Sequence, residues 1–149
     1  MTIDVDQLLA GSVTGANSTT LLPIPEGEFH AVITEVSLRD FQYKKGPNSG
    51  MTGYALDITW EINDPQLKEH LKRAPVVRQS MILDLNGDSL DMSEGRNVAL
   101  GRLRAAVKQN DPGRPWSPNQ LKGSVAVIQT KQRMEGETTY TDVARVAAA

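Results

Sequence analysis

The side chains best suited to chemistry in this sequence lie in two short stretches. Residues 39–50 read Arg39-Asp40-Phe41-Gln42-Tyr43-Lys44-Lys45-Gly46-Pro47-Asn48-Ser49-Gly50, three bases against one acid with two aromatics between them. Aromatic faces stack on nucleobases whatever the base, and Lys and Arg neutralise phosphates. Phe41 and Tyr43 are two residues apart, so an extended chain turns both to the same side, where they can hold successive bases. The bland alternative is that they fold back as a satellite of the core. The second stretch runs Lys131-Gln132-Arg133-Met134-Glu135-Gly136-Glu137-Thr138-Thr139-Tyr140, and no acid lies between Lys122 and Arg133. The residues expected to contact a polyanion are therefore Arg39, Phe41, Tyr43, Lys44, Lys45, Lys131, Arg133 and Tyr140.

Other chemistries lack parts. Cys is absent, which excludes disulfides and thiolate zinc sites and suits a reducing cytoplasm. His30 and His70 are far apart and form no metal-ligand spacing. No phosphate-cradling Gly-rich loop ending in Lys-Ser/Thr and no G-x-S-x-G nucleophile turn occurs. Asp84, Asp88 and Asp91 flank a turn without the spacing of a calcium loop, so they read as solvated turn acids and caps. No enzyme, metal or cofactor is expected.

The elements that must position these stretches are strands. Residues 29–38 (FHAVITEVSL) are β-branched and free of Gly and Pro, with apolar residues on both faces, as a long strand with a bulge near Thr34 would give. Residues 39–53 read as a loop. Then Tyr54, Leu56, Ile58, Trp60 and Ile62 alternate with Ala55, Asp57, Thr59 and Glu61, the clearest period of two in the chain. Trp60 shares its face with Leu56 and Ile58 and belongs to the core. Asn63-Asp64-Pro65 ends the strand, residues 66–73 read as a short helical turn, and residues 76–85 as a third strand. Asp91 or Ser93 is expected to cap an amphipathic helix ending near Asn110, with Arg104 and Lys108 facing away from the core. Trp116 is expected to pin the next connection to the body. Strands at 124–130 and 138–146 complete the chain.

Three strands, a helix and two strands in one domain of residues 23–149 is the order of a five-stranded OB-type barrel, all-β with one helix. In such a barrel the two basic stretches join the first strand to the second and the fourth to the fifth, the two walls of its ligand groove. Asp57 and Glu61, on the wet face between, would repel phosphate. Residues 1–22 read as a flexible acidic arm, because small polar residues dominate Ala10 to Thr20. Asp4, Asp6, Glu26 and Glu28 give residues 1–28 a charge of −4 with no base. The remaining 16 bases and 14 acids leave +2, which sums to the chain's −2. A mildly basic body with an acidic arm permits a polyanion partner. No apolar run reaches membrane-spanning length and no leader pattern opens the chain, so a soluble cytoplasmic protein is expected.

With the elements placed, the chain resembles a family of small phage-encoded single-stranded-DNA-binding OB proteins. The resemblance rests on Pro25-Glu26-Gly27-Glu28-Phe29 leading into Ala31-Val32-Ile33-Thr34-Glu35-Val36, then a Lys/Gly-rich loop entering residues 54–62. Gly95-Arg96 to Val107 resembles that family's helix, and Leu121-Lys122-Gly123 opens a Val-rich strand like that of its closing hairpin. It implies a non-catalytic coat on single-stranded DNA in phage replication or recombination, within the host cytoplasm, alongside replication or recombination proteins. Many single-strand binders carry their acids in a C-terminal tail; here they are at the other end. The competing expectation is an OB-fold structural or protein-interaction module, such as a virion component or a host-factor inhibitor. The oligomeric state, homo-oligomer or monomer, is open in either case.

Overall fold

The alternation in residues 52–62 sets the centre of the molecule. The computed structural model describes residues 2–149, and in it β2 (Thr52–Ile62) buries Leu56, Ile58, Trp60 and Ile62 on one face. β1 (Gly27–Gln42) pairs antiparallel with β2 through its C-terminal part and with β6 (Val125–Glu135) through its N-terminal part. β3 (Val76–Ile82) lies on the far side of β2, and β7 (Thr138–Ala147) on the far side of β6. The result is a five-stranded antiparallel sheet in the order β3-β2-β1-β6-β7. Its inner face holds Ile33, Trp60, Ile58 and Ile128, each at most 1 % exposed, and the indole Nε1 of Trp60 donates to Gln79 Oε1 at 2.9 Å. Burying an indole N–H is tolerable only with such a partner.

The register slips between Ile33 and Glu35, a bulge at Thr34 that lets one long strand serve two partners. Ladder pairing does not join β3 to β7, so hydrogen bonds do not close the sheet into a barrel, although these two edge strands approach one another. The chain from Leu22 to Ile24 lies beside that seam. Arg73 Nη2 donates to the Leu22 carbonyl at 2.6 Å, Thr141 Oγ1 to the Ile24 carbonyl at 2.8 Å, and the Ile24 side chain is buried.

Helices occupy the connections. Asp64 caps α2 (Pro65–Leu71), accepting from the Leu67 amide, and Leu67 and Leu71 turn inward. β4 (Leu85–Asn86) and β5 (Ser89–Leu90) form a small hairpin before α3 (Val98–Ala106). α3 is shorter at both ends than its sequence pattern predicts. Asn97, at φ 50°, is locked to the Asp84 backbone: its side chain accepts from the Asp84 amide at 2.8 Å and donates to the Asp84 carbonyl at 2.8 Å. Asp91 instead closes a local turn by accepting from Ser93, so neither of the expected caps starts the helix. Lys108, at φ 62°, ends it. Arg104 does not face away as predicted. It is 9 % exposed, its Nε donates to the Gln109 carbonyl at 3.1 Å, and its guanidinium lies 4.0 Å from the centre of the Trp116 ring. Trp116 Nε1 also donates to Gln109 Oε1 at 2.8 Å, pinning the connection as expected.

At the other end, Asp4 caps a short helix, α1 (Val5–Ala10), in which no residue is buried. No helix among the described residues is long and apolar enough to cross a membrane.

Candidate nucleic-acid interface

Residues 39–42 do not belong to a loop. β1 continues to Gln42 and β2 begins at Thr52, with Arg39 opposite Ala55 and Phe41 opposite Gly53. The predicted loop is the distal half of a hairpin whose tip, residues 43–51, turns through Gly46 and Gly50, both at φ 83°. Tyr43 N donates to the Met51 carbonyl at 3.0 Å and Gly50 N to the Tyr43 carbonyl at 2.7 Å, so Tyr43 is held as firmly as a strand residue.

Alternation places Arg39, Phe41 and Tyr43 on one face, the outer face of the sheet. The Phe41 and Tyr43 rings meet edge to face, their centroids 4.9 Å apart at 65°. Both are half-buried and lie over Gly53, where an added Cβ would come within 2.5 Å of the Phe41 ring and 2.7 Å of the Tyr43 ring. The absent side chain makes the seat of the pair. Lys44 and Lys45 follow at the exposed tip and make no ion pair among the described residues.

Arg39 is already engaged. Its Nε donates to Asp57 Oδ2 at 3.0 Å, and Ser80 Oγ donates to the other carboxylate oxygen at 2.5 Å. Partial burial raises the pKa of Asp57, but hydrogen bonds from Arg39 and Ser80, with the charges of Arg39 and Arg78, outweigh it and hold the carboxyl below its ordinary value. Arg39 thus neutralises the acid expected to repel phosphate there. Arg78, exposed on the same face and opposite Thr59, was missed as a candidate. Its signal was available in the alternation of β3, where Val77 and Met81 are buried while Arg78 and Ser80 are exposed.

The second basic stretch is the β6–β7 hairpin. Arg133 and Tyr140 face each other across it, with the guanidinium 4.9 Å from the ring centre. Arg133 pairs with Asp142 (2.9 Å) and with Glu135, and these partners raise its pKa above the ordinary guanidinium value. Its charge is neutralised within the hairpin. Lys131, exposed and opposite Asp142 in register, makes no ion pair among the described residues.

The structure thus assembles two clusters. Arg39, Phe41, Tyr43, Lys44 and Lys45 share one hairpin, and Lys131, Arg133 and Tyr140 the other. β1 pairs with β6 near its start and with β2 to its end, so the hairpin tips point to opposite ends of that strand. The β6–β7 hairpin lies beside Arg78 across the seam. From Thr59, opposite Arg78, to Gly53, opposite Phe41, is six residues of β2, or about 20 Å of strand. Among the described residues no group of three His, Cys, Asp or Glu side chains is placed to hold a metal. No family model matches the chain, and a search of curated proteins finds no significant relative.

Proposed function

We propose that the protein is a non-catalytic, sequence-tolerant binder of single-stranded DNA, built as an OB-type barrel whose first hairpin carries the stacking platform. The observation that carries this reading is the Phe41–Tyr43 pair, half-exposed on a paired strand end and followed by two lysines that make no ion pair among the described residues. Two rings on one face suit successive unstacked bases, and the lysines beside them suit the linking phosphates. The barrel reading draws support from the strand order, the approach of β3 to β7, and the placement of α3 between the third and fourth long strands. The resemblance to small phage-encoded single-strand binders points to replication or recombination in the host cytoplasm, where proteins of those processes would be its partners.

A second reading, a protein-interaction module, is favoured by apolar residues exposed around the same hairpin: Leu38, Met51 and Ile82. Titration with oligo-dT at low salt separates the two. Phe41→Ala and Tyr43→Ala are each expected to weaken binding several-fold while the melting midpoint moves little, since a stacked base is worth about 1–3 kcal/mol. Two early-melting variants and a wild type blind to the oligonucleotide would transfer the hairpin to the interaction reading.

A further inference from the structure

A cleft of about 590 Å³ opens along the seam between β3 and β7, away from the aromatic pair. Its walls include Arg73, Arg78, Arg133 and Tyr140, with Thr20 and Thr139. The charged residues lining it are three arginines against Glu137 and Asp142, a net +1 in a chain of net −2. Asp142 is already paired with Arg133, which leaves Arg73 and Arg78 opposed only by Glu137. Arg73 carries the most telling feature. Its Nη2 is satisfied by the Leu22 carbonyl, but its Nε is buried without any acceptor, the one such side-chain atom among the described residues. A buried N–H without a partner is costly, so the covered Nε gains by turning out to an acceptor at the cleft wall, and guanidinium donors match phosphate oxygens in number and geometry.

We propose that this seam cleft holds one nucleotide unit, its phosphate on Arg73 and Arg78 and its base on the Tyr140 ring. Arg133 lies against Tyr140 and takes its orientation from Asp142, so it acts as a positioning residue that backs the ring. Tyr140 as a residue is 44 % exposed, and the guanidinium of Arg133 lies over its ring. The cleft is within the usual volume range for a small-ligand site, roughly 300–1,000 Å³. This inference rests on the single-strand reading and extends it. A strand lying on Phe41 and Tyr43 would reach the cleft after about 20 Å, inside the span of the roughly 4 to 16 nucleotides that OB domains cover.

The test uses the full chain and thymidine 3′,5′-bisphosphate as probe, read by the Nε–Hε nuclear resonance signals of Arg73 and Arg78. Both signals are expected to shift on titration. Arg78→Gln and Tyr140→Leu, exposed positions whose loss spares the core, should each weaken the bisphosphate several-fold. The same two variants should weaken a long oligo-dT and leave a short one unaffected. Silent arginine signals, with long oligo-dT binding sensitive to Phe41→Ala alone, would overturn the cleft and leave the hairpin reading standing. The same shifts from inorganic phosphate at equal affinity would overturn the nucleotide assignment. Binding lost in Arg78→Gln but untouched by Phe41→Ala would retain the cleft and remove the hairpin.

Discussion

Gly53 shows how much of the candidate site depends on one position. Phe41 and Tyr43 can pack edge to face against the sheet because Gly53, opposite Phe41 and beneath both rings, has no side chain. No left-handed backbone requires glycine here, so Gly53→Ala can keep the strand and must move the rings. The variant is expected to fold with nearly the wild-type midpoint and to lose several-fold in oligo-dT affinity; unchanged affinity would mean that the ring arrangement is irrelevant to binding. Asp57 gives a second test at this scale. Its pKa is lowered on folding, so its pairing stabilises the fold above the ordinary value of 3.8 and is lost as pH falls through the lower folded value. In Asp57→Asn the acid limb of stability against pH should flatten below about pH 4. At neutral pH the variant also releases Arg39, which should tighten oligo-dT at low salt. An unchanged acid limb would mean that the Arg39 pair does not persist in solution. Phe41 and Tyr43 were legible as candidates from type and spacing alone. Their seat was not, because it is made by a residue ten or more positions away that only the register brings opposite.

At the scale of elements, the strands were legible because a half-buried sheet imposes its period of two on any sequence that forms it. The bulge at Thr34 was legible for the same reason, as the point where the apolar face changes. What the sequence concealed were ends decided by tertiary hydrogen bonds. β1 and β2 run on through polar residues that pair with one another, and α3 starts at Asn97 because that side chain is bound to the Asp84 backbone thirteen residues earlier. Asn97→Ala would take the Asn97 side chain from the half-buried Asp84 amide and Asp91 carbonyl, while the Asp84 carbonyl keeps the Asp91 amide. A loss of about 1–3 kcal/mol is expected in urea unfolding, whereas a loss near zero would show that α3 starts without this lock. The arm divides in the same way. Residues 2–18 are exposed throughout, so deleting them should leave the midpoint nearly unchanged. Ile24 is buried beside the seam, and Ile24→Ala should cost about 2–5 kcal/mol. If the short deletion melted early instead, α1 would be a docked element.

Across the whole molecule the question is whether a chain of net −2 can hold a polyanion, and the answer turns on which bases remain available. Of the basic candidates, Arg39 is bound to Asp57 and Arg133 to Asp142 and Glu135. Lys44, Lys45 and Lys131 are exposed and make no ion pair among the described residues, and Arg78 joins them on the outer face. Lys44, Lys45, Lys131 and Arg78 therefore offer four phosphate contacts to a single strand crossing from one hairpin to the other, and Arg73 adds a fifth where the strand enters the seam cleft. Each contributes about 0.7 to the slope of log affinity against log salt, so the wild type should show a slope of about −3 with a strand confined to the first four and about −3.5 with long oligo-dT that also fills the cleft. Base stacking, which is insensitive to salt, must then supply much of the affinity, as the aromatic pair would allow. Replacing Lys44 and Lys45 together by Ala should make the slope shallower by about 1.4, equally for every oligonucleotide sequence. The measurement is a set of fluorescence titrations across a range of salt concentrations. A slope unmoved by the double substitution would place the strand away from the hairpin tip. A wild-type slope near zero, with no oligonucleotide response at low salt, would mean that the exposed lysines solvate a protein-docking hairpin rather than grip a phosphate backbone.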